Sequence, residues 1–153
     1  MRLDWASLLE ILRSSERVCL TSHIRPDCDA LGSELGMAGI LTALGKDVRI
    51  VNAQATPASL RWIDPADKLE SLAQKVKPAD LADRDLFIVV DTSAWAQLGD
   101  MGGVLKAHRD RVVVIDHHVS EDDICDRWFK DTAAEATARI VYEIAQRLRV
   151  PLT

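Results

Sequence analysis

The chain has 153 residues, 48% of them hydrophobic and 28% charged, which is enough to bury the core of one soluble domain over residues 1–153. Its net charge of −5 argues against a protein that holds long duplex nucleic acid on a basic face. No apolar run approaches the roughly 18 residues of a membrane span. The three cysteines show no CxxC spacing, which is more typical of a reducing cytoplasm than of a disulfide scaffold.

Strand-like and helix-like segments alternate along the chain. Asp4 is a candidate cap for a first helix that starts at Trp5, and a strand is predicted at 17–22. A second helix is predicted from Ala30 to about Leu44, where Gly45 ends it, and a strand follows at 48–51. Residues 52–85 are less regular, and short helical stretches are predicted there at 58–63 and 69–76.

Two segments are continuous runs of β-branched and other apolar residues: LFIVV at 86–90 and VVVI at 112–115. Such runs are typical of strands buried on both faces of a parallel sheet. The last predicted helix runs from about Ala133 to Arg149. This alternation predicts an α/β fold with a mainly parallel sheet flanked by helices.

Metal-ligand residue types follow three of the predicted strands. His23, Asp27 and Asp29 follow the first strand, Asp91 follows the run at 86–90, and the third run leads into the Asp116–His118 segment. A single aspartate after a strand is more often a turn or a helix cap. The carboxyl ends of parallel strands form one rim of a sheet, however, so we expect all three clusters to meet there. Their convergence predicts a functional site.

The residue types at this rim indicate a metal centre. Two imidazoles with three or more carboxylates favour Mn²⁺, Fe²⁺, Zn²⁺, Co²⁺ or Mg²⁺ over a thiolate-preferring ion. Five ligands are too many for one catalytic ion with open positions, but they suit two ions about 3.5–4 Å apart, bridged by a carboxylate and a water. His118 is then free to bind a phosphate or protonate a leaving group, and Asp116 to orient a histidine.

Several segments resemble a known family. The segments SHIRPDCDALGS (22–33), VVDTS (89–93) and IDHH (115–118) resemble, in order and separation, the first three motifs of the DHH phosphoesterases. PASLRWI (57–63) and DTAAEATARIVYEI (131–144) are similar to the nanoRNase (oligoribonuclease)/pAp phosphatase branch. The resemblance implies an N-terminal DHH domain that hydrolyses short oligoribonucleotides and 3′-phosphoadenosine 5′-phosphate with two divalent ions, Mn²⁺ being favoured.

The family motifs also imply a role for each residue of the site. Matched by motif, His23 and Asp27 would hold one metal ion, Asp29 and His117 the other, and Asp91 would bridge the two ions.

The remaining assignments concern substrate. By the same resemblance, His118 would contact the scissile phosphate, and Asp116 would support the site. Arg61 is a further candidate for binding a substrate phosphate, although an arginine exposed on a helix is the simpler interpretation.

Two departures from the family pattern lead to further expectations. A further metal-binding aspartate after the last helix and a smaller C-terminal substrate domain are both missing from residues 1–153. We therefore expect a DHH catalytic domain truncated before its fourth motif, with a weak second metal site and low activity. The alternatives are a pyrophosphate or polyphosphate hydrolase and a non-catalytic metal- or nucleotide-binding sensor. An uncovered sheet edge would make a homodimer a further hypothesis.

Overall fold

The two runs predicted as buried strands lie at the centre of a parallel sheet. In the computed structural model, which describes residues 3–72 and 74–152, six strands pair in the order β3-β2-β1-β4-β5-β6. The strands are β1 Arg17–Thr21, β2 Asp47–Asn52, β3 Leu69–Ser71, β4 Leu86–Val90, β5 Val112–Asp116 and β6 Trp128–Lys130. Each neighbouring pair is parallel. The predicted α/β fold with a parallel sheet is confirmed.

Helices cover both faces of the sheet. They are α1 Trp5–Ser14, α2 Cys28–Ala43, α3 Met101–Ala107 and α4 Thr137–Leu148. One face packs against α1, α2 and α4, and the other packs against α3. Successive residues of a strand point to opposite faces, so Ile88 joins the first core and Phe87 the second. Burial on both faces explains why β4 is apolar throughout and why β5 is apolar until its last residue, the buried Asp116.

The strand order reverses beside β1. The chain runs outward from β1 through β2 to β3, then returns to place β4 on the other side of β1. Such a reversal opens a crevice at the carboxyl ends of the two central strands, where ligands bind in open α/β sheets. The parallel register sets Thr21 beside Val89, and Val90 beside Ile115, so β1, β4 and β5 end at similar heights.

Short elements account for most differences from the sequence-based expectations. The stretch 58–63 is helical as predicted, in the 3₁₀ form. The stretch 69–76 was wrongly predicted as helical, because Leu69–Ser71 instead pairs with β2 as a strand; Ala73, within that stretch, lies outside the described residues. The three-residue β6 and the seven-residue α3, which contains two glycines, show too little periodicity to be recognised.

The start of α4 also differs from the prediction. The helix begins at Thr137 rather than near Ala133, after a turn. Its first backbone N–H groups are capped by Asp29 from another helix, a contact that no local pattern could reveal.

The three cysteines are unpaired in the structure. Cys19 and Cys125 are buried thiols and Cys28 is exposed. Within residues 3–72 and 74–152, no helix is both long enough and apolar enough to cross a membrane.

Candidate metal centre

The candidate ligands from all three strand ends lie together at the carboxyl edge of the sheet. His23 follows β1, Asp91 follows β4 and His117 follows β5, while Asp27 and Asp29 lie at the start of α2. His23 Nε2 lies 3.4 Å from Asp91 Oδ2, and His117 Nε2 lies 3.5 Å from Asp91 Oδ1. The expected convergence at this edge is thus present in the fold.

Asp91 occupies the centre of the cluster. Its side chain is only 2% exposed, and its two carboxylate oxygens face different histidines. Its backbone has a φ of +63°, a left-handed conformation that costs a non-glycine residue about 1–2 kcal/mol. The Asp91 N–H donates to Ile115 O at 3.1 Å, and the Thr137 hydroxyl donates to Asp91 Oδ1 at 2.9 Å. These contacts hold the carboxylate in place in spite of the strained backbone.

The surroundings of Asp91 disfavour its negative charge and raise its pKa. Burial raises its pKa, and the hydrogen bond from His23 lowers it in part. The nearby carboxylate of Asp29 raises the pKa further. A buried carboxylate beside another acid is stabilised by cations, and divalent ions supply the most concentrated positive charge.

The first ligand group consists of His23, Asp27 and Asp91, each offering a ligand atom within 4.8 Å of the others. His23 Nδ1 lies 2.8 Å from Ile24 O, and since a carbonyl accepts only, Nδ1 must carry a proton. Nε2 therefore faces Asp27 and Asp91, at 3.9 and 3.4 Å. Metal-binding histidines typically donate the other ring N–H to a carbonyl or carboxylate in this way, which fixes the orientation of the ring.

His23 is strongly basic in this setting. The hydrogen bond with Asp91 is the largest influence, and it raises the pKa of His23 to about 9 although burial lowers it. Asp27 caps α2 by accepting from Ala30 N at 2.9 Å, which leaves its other oxygen free for a ligand.

The second ligand group gathers around His117. Its Nε2 lies 3.7 Å from Asp29 Oδ2 as well as 3.5 Å from Asp91, and its Nδ1 lies 3.2 Å from Ala134 O. His117, His118 and Asp91 also each offer a ligand atom within 4.8 Å of the others. The predicted pairing of Asp29 with His117 is therefore compatible with the distances, and His118 lies beside it.

Asp116 organises the two adjacent histidines. It is fully buried, and its Oδ1 accepts from the backbone N–H groups of His117 and His118 at 2.8 and 3.2 Å. The same oxygen lies 2.7 Å from His118 Nδ1, which leaves His118 Nε2 directed elsewhere. Asp116 is thus placed to orient His118, in line with the predicted supporting role.

The sequence-based reasoning missed the residues that hold these side chains. Thr137 donates to Asp91, the Ser93 hydroxyl donates to Asp116 Oδ2, and Lys130 Nζ lies 3.7 Å from the same oxygen. Ser93 belongs to the VVDTS segment and Thr137 precedes an apolar helical run, so both offered a weak signal. Lys130 offered none, because its proximity depends on β6 pairing with β5.

Arg61 lies apart from the clustered residues. It is exposed on the 3₁₀ segment Ala58–Ile63 and lines a cavity of about 310 Å³ together with Asp64, Asp67 and Lys75. None of the candidate metal ligands lines that cavity. A role for Arg61 in binding substrate stays a prediction.

Comparison with known proteins connects this geometry to a family. Residues 17–152 match the family model described as "DHH family, N-terminal domain". The probable bifunctional oligoribonuclease and PAP phosphatase NrnA of Streptococcus mutans is 25% identical over 151 residues, covering 96% of this chain and 44% of that protein. Its Bacillus subtilis counterpart is 26% identical, covering 90% of this chain and 40% of its own length.

Two further proteins are similar to this chain, one in sequence and one in fold. The cyclic-di-AMP phosphodiesterase GdpP of Geobacillus thermodenitrificans is 27% identical, covering 92% of this chain and 22% of that protein. The crystal structure of an exopolyphosphatase-related protein from Bacteroides fragilis superposes with a TM-score of 0.84 at 23% identity, over 94% of this chain and 43% of that one. The chain spans less than half the length of each of these four proteins.

Proposed function

This chain belongs to the DHH family, and on that premise we propose that it is a catalytic domain that hydrolyses phosphate esters of small nucleotides with two divalent metal ions. Mn²⁺ is the favoured ion. The proposed substrates are short oligoribonucleotides and 3′-phosphoadenosine 5′-phosphate, because the relatives from S. mutans and B. subtilis are named for these activities.

The position of Asp91 is the observation that most supports this proposal. Its two oxygens face separate groups, with His23 and Asp27 on one side and His117 on the other. A carboxylate placed in this way suits a bridge between two ions. In the proposed arrangement His23, Asp27 and Asp91 hold one ion, and Asp29, His117 and Asp91 hold the other.

The ions, when bound, supply an activated water at neutral pH and neutralise charge on the phosphoryl oxygens. The protein residues keep the site in order. His23 is held by Ile24 O with Nε2 toward the carboxylates, and Thr137 steadies Asp91. Without these contacts the ligands would have to be ordered when metal binds, at a cost in affinity.

His118 is proposed to act on the substrate rather than as a metal ligand. Because Asp116 accepts from its Nδ1, the free Nε2 is available to donate a proton to a phosphate oxygen or a leaving group. The His118 side chain is 48% exposed, which leaves it accessible to a bound nucleotide.

A second candidate function is a sensor that binds metal or nucleotide without turnover. The observation in its favour concerns Asp29, whose two oxygens accept from the backbone N–H groups of Thr137 and Ala138, each at 2.9 Å. A carboxylate engaged in capping a helix has less capacity to bind an ion, so the second metal group is the weaker of the two.

Both candidates are tested by measuring binding and turnover on the same protein. Mn²⁺ binding is measured by calorimetry, and product release is measured with pAp, di- to pentanucleotides, a cyclic dinucleotide, pyrophosphate and polyphosphate. We expect Mn²⁺-dependent release from pAp or the short oligonucleotides. Preference for pyrophosphate or polyphosphate would replace the nucleotide assignment, and tight binding with no product would favour the sensor.

The decisive variant is Asp91→Asn, which we expect to abolish turnover and to weaken Mn²⁺ binding. Asp67→Asn is a matched control, because Asp67 also has a left-handed backbone, with a φ of +51°, but it lines the separate cavity. Turnover by the Asp91→Asn protein at the wild-type rate would overturn the two-metal mechanism.

A further inference from the structure

A buried polar cluster lies behind His23 and has no part in the ligand groups described above. It consists of Ser22, Glu34 and Asn52, whose exposed fractions are 1%, 0% and 4%. Burying an acid and an amide is costly unless their hydrogen-bonding groups are matched. In this cluster the side-chain amide of Asn52 is hydrogen-bonded to the carboxyl of Glu34, and we call this contact the Glu34–Asn52 bridge.

The contacts of Asn52 fix the orientation of its amide. Asn52 Nδ2 donates to Glu34 Oε2 at 3.0 Å, and Asn52 Oδ1 accepts from the Ser22 backbone N–H at 2.9 Å. The Thr21 hydroxyl also donates to Oδ1, at 3.3 Å. A flipped amide would point its NH₂ group at the Ser22 N–H and its oxygen at the carboxyl of Glu34. Glu34 therefore selects the orientation in which Asn52 can accept from Ser22.

The bridge connects the elements that carry the first ligand group. The paired register of β1 and β2 ends with Leu20 beside Ile50, and the Asn52 side chain extends the contact to Ser22, the residue before His23. Glu34 lies on α2, whose start carries Asp27. One buried chain of hydrogen bonds thus joins the backbone at His23 to the helix that presents Asp27.

We propose that Glu34 is a positioning residue for the metal site, acting through Asn52 to hold the backbone at Ser22 and so set His23 against Asp27 and Asp91. The inference rests on the proposed function, since it assumes that these three residues hold a metal ion. Asn52 links Glu34 to Ser22, so loss of the Glu34 acceptor leaves the Asn52 side-chain amide free to rotate.

The surroundings of Glu34 are consistent with a buried, bridging role. Burial raises the pKa of Glu34 to about 7, while the hydrogen bond from Asn52 lowers it in part. Ser22 Oγ and the second oxygen of Glu34, Oε1, have no hydrogen-bond partner among the described residues. The Asn52 amide is therefore the one strong anchor of the Glu34 carboxyl within the part of the chain that the structure describes.

Two substitutions separate positioning from general stability. Glu34→Met keeps the side-chain length but removes the acceptor for Asn52, whereas Glu34→Gln keeps an acceptor. Leu12→Ala is the control, because Leu12 is fully buried on α1, which carries no candidate ligand. The measurements are the Mn²⁺ dissociation constant by calorimetry, the melting temperature, and hydrogen exchange at the Ser22 amide in the metal-free protein.

Glu34→Met is expected to weaken Mn²⁺ binding about 10-fold or more and to accelerate Ser22 exchange, because loss of an outer partner typically costs 10–100-fold in metal affinity. Glu34→Gln is expected to retain most of the affinity. Leu12→Ala is expected to lower the melting temperature by at least as much as Glu34→Met without weakening Mn²⁺ binding. If Glu34→Met does not fold, Asn52→Ala breaks the same bridge from its other end and carries the same expectation.

The inference is overturned if Glu34→Met binds Mn²⁺ no more weakly than the Leu12→Ala control. It is also overturned if Glu34→Gln is as impaired as Glu34→Met, because the acceptor would then be irrelevant. Wild-type protein that binds no Mn²⁺ would count against the proposed function instead. The Ser22 exchange rates would still decide whether Glu34 holds the backbone there.

Discussion

The carboxylate of Asp29, in the first turn of α2, accepts a hydrogen bond from the backbone N–H of Thr137 at 2.9 Å, across 108 positions of sequence. Its other oxygen accepts from Ala138 N at the same distance, so a candidate metal ligand also caps α4. Negative charge at a helix N-terminus is favourable, and the cap satisfies two otherwise unpaired N–H groups. We therefore expect folding and metal binding to be coupled at this residue.

We expect Asp29→Ala to destabilise the metal-free protein by about 1–2 kcal/mol, because loss of an N-terminal cap typically costs about that much. Urea unfolding in the presence of a chelator measures this change. Asp29→Asn retains one oxygen acceptor and is expected to lose less stability, while still weakening metal binding by the second ligand group. Unchanged stability in Asp29→Ala would show that the cap contributes little.

Thr137 provides a second test of how the site is held. Thr137→Val removes the hydroxyl that donates to Asp91 Oδ1, with little change in volume, and leaves that buried carboxylate without this donor. We expect a loss of about 1.5–3 kcal/mol of stability, typical of a hydrogen bond to a charged group, and weaker Mn²⁺ binding. Thr137→Ser keeps the hydroxyl and should behave like wild type. Equal Mn²⁺ affinity in the Thr137→Val and Thr137→Ser proteins would contradict a supporting role for the Thr137 hydroxyl.

The pH dependence of metal binding follows from His23. Because its pKa is raised to about 9, His23 holds a proton on Nε2 in the metal-free protein at neutral pH. A metal ion must displace that proton, so Mn²⁺ affinity should rise by up to about tenfold per pH unit below pH 9 and then level off. Calorimetry at pH 6.5, 7.5 and 8.5, in buffers of different ionisation enthalpy, measures both the affinity and the protons released.

The matched control for this prediction is His108→Gln. His108 stacks on Phe87 near the start of β4, with ring centroids 5.1 Å apart, at the opposite end of the strand from Asp91. The control should release the same number of protons as wild type, whereas His23→Gln should release fewer. Affinity that does not change with pH in the wild-type protein would argue against His23 as a ligand.

The sequence was sufficient to identify the central strands, because burial on both faces makes 86–90 and 112–115 continuous apolar runs. The same logic brought the candidate ligands together: in a parallel sheet, residues that follow neighbouring strands meet at one edge. His23, Asp91 and His117 therefore lie together as predicted from chain order and residue type alone. Their roles as metal ligands stay a prediction.

Only the tertiary structure revealed how these side chains are held. Contacts between residues far apart in sequence leave no periodic pattern. Such contacts are made by Thr137, Lys130, Asn52 and Glu34. The three-residue strands β3 and β6 were equally hidden, because pairing with a neighbouring strand determines their conformation more than local preference does. Burial of a strand on both faces can be read locally, whereas the order of strands in the sheet and the hydrogen-bond partners depend on the completed packing of the whole chain.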